Sequence, residues 1–236
     1  MIVRSGDDAV LLITQPDHAH LSRAVMAQCT ALAAHPRRDA ILTAIGEHDN
    51  GWAEEDASPS IDPTTGQIVD FVNAPMSVRQ TVWPRGVARL ADRPWAAALV
   101  AQHAVTVYGR FRPDPEWASF FERMEKERDA MLRASGGSPA QLNADYPFVR
   151  LGDLISLTFC AGWTEEQRFD RWTVLRNGDL VVVTPDPLGG ATVPIAAAAR
   201  SVRAGSFRSA GELKQALEAS PRVTLRGSVV GGVRSA

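Results

Sequence analysis

The chain has 236 residues, of which 45% are hydrophobic and 22% charged, and its formal net charge is −2. This ordinary globular composition excludes an intrinsically disordered chain, a collagen-like repeat and a generally basic nucleic-acid-binding protein. No apolar run approaches the roughly 20 residues of a membrane-spanning helix, and Asp7 and Asp8 interrupt the segment where a secretory signal would lie. Two cysteines, Cys29 and Cys160, are too few for a disulfide framework, so we expect a protein of the reducing cytoplasm.

The spacing of apolar residues in the first two thirds of the chain predicts mainly helices. Two short strands, at 2–4 and 10–14, precede them. The helices are expected at 16–34, 38–49, 77–92, 95–108, 115–135 and 147–162. The polar stretch 53–73 contains Ser-Pro, Asp-Pro and Thr-Thr-Gly segments and predicts a long loop.

Short runs typical of strands dominate after Trp163. Predicted strands at 172–175 and 180–184 flank the pair Asn177-Gly178, which favours a hairpin turn. Further strands are expected at 192–195, 201–203 and 223–225, with a short helix at 209–219. Because an isolated hairpin is marginally stable, we expect the N-terminal strands to pair with the C-terminal strands in one small sheet.

These patterns predict an α+β protein that is mainly α. The expected helical core covers residues 15–163, and residues 1–14 together with 164–230 form a small β/α subdomain packed on it. Residues 231–236 are expected to form a disordered tail.

Five ionisable side chains fall on the apolar faces of the predicted helices. They are His18, His48, Asp49, His103 and Asp153. Asp153, for example, lies four residues from Val149 and four from Leu157, which places all three on one helix face. A buried carboxylate is costly without a partner, and few basic residues share these faces. Imidazole and carboxylate groups together suit Mn, Fe, Co, Ni or Zn, so the pattern predicts a divalent transition-metal site.

The order of these residues resembles a known signature. His18, the pair His48-Asp49 followed by Gly51, and the distant Asp153 are similar to the His…His-Asp…Asp pattern of the HD-domain superfamily. Members of that superfamily are all-helical, metal-dependent and mostly phosphohydrolases. This likeness covers the helical part of the chain, residues 16–162.

A second resemblance covers most of the chain. It is to an uncharacterised bacterial family that is known only as a domain of unknown function. The segments that carry it are TQPDHA at 14–19, AIGEHDNGW at 44–52 and LGDLISL at 151–157.

The resemblance to the HD-domain superfamily implies an HD-domain-like helical bundle and a set of metal ligands. The ligands that it implies are His18, His48, Asp49 and Asp153. His103 matches the additional histidines that two-metal members carry, and it would hold a second metal or act as an acid. Asp49 would be the catalytic residue that steers the attacking water.

Other residues are candidates for contacts with a substrate. Trp52 directly follows the segment that contains His48 and Asp49, and it is expected to line the pocket. Arg79, Arg85 and Arg89 are candidates for phosphate binding, because a guanidinium group matches the geometry of phosphate.

The predicted function is a metal-dependent hydrolase of a phosphorylated small molecule or nucleotide, with a metal-activated water as nucleophile. Two other classes fit the same residues: a di-iron oxygenase on the same scaffold, and a non-catalytic metal-binding or interaction module. The expected partner is a small-molecule substrate, and the composition predicts neither a nucleic acid nor a membrane as partner. One metal or two both fit, and the sequence leaves the metal, the substrate and the oligomeric state open.

Overall fold

The computed structural model describes residues 1–6 and 8–233. Within these residues the helices are α1 (Gln15–Met26), α2 (Arg38–Glu47), α3 (Ala53–Ala57), α4 (Met76–Ala88), α5 (Pro94–Val107), α6 (Ala118–Ala134), α7 (Pro139–Ala161) and α8 (Ala210–Ala219). The strands are β1 (Ile2–Ser5), β2 (Ala9–Ile13), β3 (Gln167–Phe169), β4 (Trp172–Asn177), β5 (Leu180–Thr184), β6 (Val193–Arg203) and β7 (Arg222–Gly231). Among the described residues, none of the helices combines the length and the apolar character that crossing a membrane requires.

Capping residues determine where α1 and α7, two helices that carry residues of the candidate site, begin. α1 follows Thr14, whose hydroxyl accepts a hydrogen bond of 3.1 Å from the amide of Asp17. α7 begins with a capping box formed by Ser138 and Gln141. It ends at Gly162, which has a φ of 75°, a left-handed conformation that favours glycine. Both helices therefore have starts that are encoded locally.

The strands of the described chain form one seven-stranded sheet in the order β1-β2-β6-β7-β5-β4-β3. β7 and β5 are parallel, whereas every other neighbouring pair is antiparallel. Side chains of β6 alternate between buried and exposed, as expected for a sheet with one covered face. α1 and α7 pack against strands of this sheet as well as against each other. The sheet therefore supports the helices that carry the candidate site.

The chain is an α+β protein, but the prediction of a mainly helical, HD-domain-like bundle with a small sheet is wrong. The sheet extends over strands from both ends of the chain, because β2 pairs with β6 and β7 lies between β6 and β5. β6 is one continuous strand that runs through the alanines at 196–199, where the sequence predicted a break. Alanine has a low intrinsic preference for strands, so only pairing with β2 and β7 reveals this segment as sheet.

Several predicted boundaries also differ from the structure. α1 ends at Met26 rather than at 34. α7 begins at Pro139 and includes Pro147, where the sequence predicted its start, because the capping box begins nine residues earlier, at Ser138. The predicted loop 53–73 contains α3 and a bridge between Ile61 and Ile68. Residue 231 is the end of β7, and residues 234–236 of the predicted tail lie outside the described residues.

The position of β7 predicts that the segment after β6 is essential for folding. Deletion of residues 204–236 would remove the partner of both β6 and β5, and it would take Val229 out of the core. Unpaired strand edges and lost burial should cost several kcal/mol. We expect this variant to lose cooperative urea unfolding monitored by circular dichroism. A cooperative transition at the midpoint of the full chain would contradict the role assigned to β7.

Burial of both thiols predicts that they are unreactive in the native protein. Burial raises the pKa of Cys29 and raises the pKa of Cys160 to about 12. Roughly one Cys160 in ten thousand is then a thiolate at pH 8, and only the thiolate reacts. We expect no rapid labelling by a disulfide reagent at pH 8 in the native state, and two labelled thiols per chain in denaturant. Rapid reaction of either thiol in the native state would contradict this packing.

Candidate metal centre

The structure brings together the five ionisable side chains that the sequence placed on apolar helix faces. They come from four parts of the fold. His18 lies on α1, His48 and Asp49 follow the end of α2, His103 lies on α5 and Asp153 on α7. All five are buried, with no more than 7% of any of them exposed. The cluster therefore lies inside the protein, where the helices meet.

Gly152 lets α7 approach α1 and α2 beside Asp153. A Cβ atom at Gly152 would lie 2.6 Å from Ser22 Oγ and 2.9 Å from Met26 Cγ on α1. It would also lie 3.2 Å from Ile45 Cγ2 on α2. Because the interior is close-packed, a side chain here would push α7 away from its neighbours. Glycine at this position thus keeps Asp153 near the histidines.

A buried ion pair fixes α7 against α5 and the start of α2. Asp145 of α7 is fully buried and accepts hydrogen bonds from Arg37 Nε at 2.6 Å and Arg37 Nη2 at 2.9 Å. Trp95 Nε1, on α5, donates to the same carboxylate at 3.1 Å. A buried carboxylate is tolerated when it has partners of this kind. The helix that carries Asp153 is therefore tied to its neighbours by polar contacts as well as by packing.

The five side chains form two overlapping groups that can each hold a metal ion. His18, His48 and Asp49 make one group, and His48, His103 and Asp153 make the other. Within each group the potential ligand atoms all lie within 4.8 Å of one another. His48 belongs to both groups, since its Nε2 is 3.6 Å from Asp49 Oδ2 and 3.3 Å from Asp153 Oδ1. His103 Nε2 is 3.5 Å from Asp153 Oδ2.

Hydrogen bonds on the outer side of the cluster orient the imidazole of His48. Its Nδ1 donates to the backbone carbonyl of Ile45 at 2.7 Å. In the neutral ring, the other nitrogen then carries a lone pair that points into the cluster. That atom, Nε2, is buried and has no hydrogen-bond partner in the described part of the chain. An outer hydrogen bond of this type is what orients the histidine ligands of metal sites.

The imidazole of His18 is oriented in the same way. Ser156 Oγ donates to the carbonyl of Asp153 at 3.0 Å, and it lies 2.9 Å from His18 Nδ1. Since its proton is used, the hydroxyl accepts from Nδ1–H of His18, which leaves Nε2 as an acceptor. Yet His18 Nε2 is only 2.7 Å from Asp49 Oδ2, which is an acceptor as well. A proton or a metal ion is needed to make this contact favourable.

Three residues of α7 that were not predicted from the sequence contact members of the cluster. The hydroxyl of Tyr146 is 3.3 Å from His103 Nδ1, and Arg150 Nη1 pairs with Asp153 Oδ2. Ser156, described above, is the third. With Asp153, they follow one another at intervals of four, three and three residues. This spacing places them along one side of the helix, and it is a signal that the sequence contains.

Burial and neighbouring charges shift the pKa values of His48, Asp49 and Asp153 in opposite directions. Burial lowers the pKa of His48, but the carboxylates of Asp49 and Asp153 outweigh it and raise the pKa to about 9. Burial raises the pKa of both carboxyl groups, but neighbouring positive charge reverses this. The histidines lower the pKa of Asp49 below its usual range, and His48, Arg150 and His103 do the same for Asp153. Burial lowers the pKa of His103 to about 3. Without a metal, a proton on His48 therefore compensates the two carboxylates, and a metal ion at Nε2 must displace it.

A cavity of about 290 Å³ opens beside the cluster. Its wall includes Asp49, His103 and Asp153, together with the buried ring of Trp52. The other lining residues are Gln15, Phe71, Val72, Arg79, Trp83, Val107, Tyr108, Arg110, Arg150, Leu157 and Trp163. This volume is at the lower end of the range for small-molecule sites. The cluster is thus reached from a space that fits a small ligand.

The three arginines that were candidates for phosphate binding occupy different places. Arg79 lines the cavity, as do Arg110 and Arg150, which the sequence analysis did not single out. Arg85 and Arg89 both form ion pairs with Glu54 instead. Arg110 belongs to a short turn between α5 and α6, so only the packing of these helices shows that it reaches the cavity.

Residues 1–203 match the family described as Protein of unknown function (DUF3891). The chain belongs to this family. The expected membership of an uncharacterised family is therefore confirmed, whereas the match gives no support to the resemblance to the HD-domain superfamily. The matched residues include all five members of the cluster and end with β6. No curated protein and no solved structure matches the chain.

The pKa of His48 predicts how the stability of the metal-free protein depends on pH. Its value of about 9 in the folded protein lies above the ordinary 6.5. Stabilisation from this proton is fully present below pH 6.5 and is lost as the pH rises to about 9. With excess chelator, the free energy of unfolding should fall over this window by an amount on the order of 3 kcal/mol.

The matched variant for this measurement is His48→Gln, which cannot carry the proton. Urea unfolding of this variant with chelator should show little change between pH 6.5 and 9. An equal fall in the variant and in the wild type would show that another group causes the dependence.

Proposed function

We propose that this protein is a metal-dependent hydrolase of a phosphorylated small molecule. The observation that carries the proposal is the orientation of His18 and His48. Each imidazole presents the Nε2 lone pair of its neutral ring to a carboxylate oxygen, with Nδ1 already engaged on its outer side. His18 Nε2 is 2.7 Å from Asp49 Oδ2, and His48 Nε2 is 3.3 Å from Asp153 Oδ1. A nitrogen and an oxygen that are both acceptors and lie this close together suit a cation between them.

The ligand types narrow the range of cations. Three imidazoles and two carboxylates, without a thiolate, suit Mn, Fe, Co, Ni or Zn. Because His48 belongs to both groups, the cluster suits a single ion in either group of ligands or two ions, one in each group. When bound, such an ion would lower the pKa of a coordinated water and polarise a phosphoryl oxygen.

Residues of this chain have separate roles in the proposed reaction. Asp49 lies at the junction of the cluster and the cavity, where its carboxylate can orient the attacking water. His103 belongs to the second group of ligand atoms, which favours a role as a ligand over a role as an acid. Arg150 pairs with Asp153 and also lines the cavity, so its remaining N–H groups can bind the oxygens of a phosphoryl group.

Two further observations support hydrolysis of a phosphorylated substrate. The cavity next to the cluster carries arginines, which favour an anionic ligand. Along the chain, the order of His18, His48-Asp49 and Asp153 resembles the ligand order of the HD-domain superfamily, which consists mostly of phosphohydrolases. This likeness concerns the order of the residues alone and implies no shared fold.

Substitution of Asp49 tests the proposal. The purified wild-type protein should contain at least one equivalent of a divalent transition metal and should release phosphate from a generic phosphate ester. Asp49→Ala should lower the metal affinity by more than about 100-fold, because loss of even an outer partner of a ligand costs roughly 10- to 100-fold. Phosphate release should fall with it, measured beside metal content by mass spectrometry.

Asp39→Ala is the matched control, because Asp39 lies on α2 and its side chain is fully exposed. This variant should keep both the metal and the activity. Iron-dependent consumption of oxygen without release of phosphate would favour the oxygenase that the sequence also allowed. A metal-free protein whose melting temperature is insensitive to chelator would favour a non-catalytic module.

A further inference from the structure

Two arginines that line the cavity have no role in the metal cluster. Arg150 is partly neutralised by Asp153. Neither Arg79 nor Arg110 forms an ion pair with any residue that the structure describes. In addition, the Nε atom of Arg79 is buried and has no hydrogen-bond partner within those residues. Two positive charges therefore face the cavity without compensation from the chain.

Aromatic rings hold these arginines in place without neutralising them. The guanidinium carbon of Arg79 is 5.0 Å from the ring centre of Phe111 and 5.4 Å from that of Trp117. The guanidinium carbon of Arg110 is 4.7 Å from the ring centre of Phe111. Cation–π contacts position a guanidinium but leave its N–H groups free to bind an anion. Both guanidinium groups thus contact the ring of Phe111.

A row of aromatic rings along the cavity wall connects the metal cluster to the two arginines. His103 is 5.5 Å from Trp83, Trp83 is 5.8 Å from Tyr108, and Tyr108 is 5.9 Å from Phe111, measured between ring centres. Trp83 and Tyr108 also line the cavity. A ligand that follows this wall would contact the cluster at one end and the arginines at the other.

We propose that Arg79 and Arg110 form a second anion-binding subsite in the cavity. This inference rests on the proposed function for the first subsite, where the reacting phosphoryl group binds at the cluster. The substrate then carries two separate anionic groups: the phosphoryl group that is hydrolysed, and a second phosphate or carboxylate that the arginines bind. The second group sets the specificity and the orientation of the substrate.

Binding of two-headed phosphonates tests this subsite, because phosphonates are not hydrolysed. The full chain, loaded with Mn²⁺, is titrated calorimetrically with methylphosphonate and with alkane diphosphonates of one to four methylene groups. Phosphonocarboxylates of the same lengths distinguish a phosphate from a carboxylate at the second subsite. At least one two-headed compound should bind about tenfold or more tightly than methylphosphonate, since hydrogen bonds between charged groups are the strong ones.

Substitution of the arginines should remove this advantage. In Arg79→Gln and in Arg110→Gln, the two-headed compound should bind within about threefold of methylphosphonate. Arg110 is exposed, so its replacement should leave the fold intact. Arg85→Gln is the matched control from the same helix as Arg79, because Arg85 pairs with Glu54 and Glu55. It should keep the full advantage.

The outcomes separate this inference from the proposed function. If the protein binds metal and releases phosphate but the arginine variants bind two-headed compounds as the wild type does, the subsite is refuted and the hydrolase stands. Absence of any advantage of two-headed compounds in the wild type refutes the subsite as well. If the protein binds no metal, yet both arginine substitutions abolish diphosphonate binding that Arg85→Gln retains, the subsite stands and the hydrolase is refuted.

Discussion

Compensation of two buried carboxylates by imidazoles is the interaction on which the candidate site depends. Asp49 and Asp153 lie on either side of His48, and neither could remain ionised in this interior without positive charge nearby. Arg150 supplies part of that charge to Asp153. The remainder comes from a proton on His48 or from a metal ion, and the outer hydrogen bonds of His18 and His48 suit the metal. If the cluster holds a metal as proposed, competition between proton and metal links the stability of the protein to the occupancy of the site.

The fold brings the carboxylates and imidazoles together by placing four helical segments around the cluster. α7 is the common element, because it carries Asp153 together with Tyr146, Arg150 and Ser156 and also packs on the sheet. Gly152 and the buried ion pair of Asp145 fix its distance from the other helices. The cavity then extends from the cluster to a rim with uncompensated arginines. The cluster and the arginines thus lie at the two ends of one row of aromatic rings.

The sequence predicted the cluster better than the fold, for physical reasons. Apolar residues at intervals of three and four around His18 and Asp153 require these groups to be buried whatever the surrounding architecture. The sheet was underestimated because the alanines of β6 carry little strand preference and find their partners far away in the chain. Tyr146 was missed because the predicted start of α7 at 147 left it outside the helix. Arg110 reaches the cavity through the packing of α5 and α6, which no local pattern encodes.

Crystallography with anomalous scattering tests the central claim most directly. Crystals of the full chain grown with Mn²⁺ or Zn²⁺ and measured at the absorption edge of the metal should show an anomalous peak bounded by His48 Nε2 and a carboxylate oxygen of Asp49 or Asp153. For zinc, ligand distances of about 2.0–2.2 Å are expected. Metal bound only at surface residues, with the Nε2 atoms of His18 and His48 hydrogen-bonded to water or to the carboxylates of Asp49 and Asp153, would contradict the account.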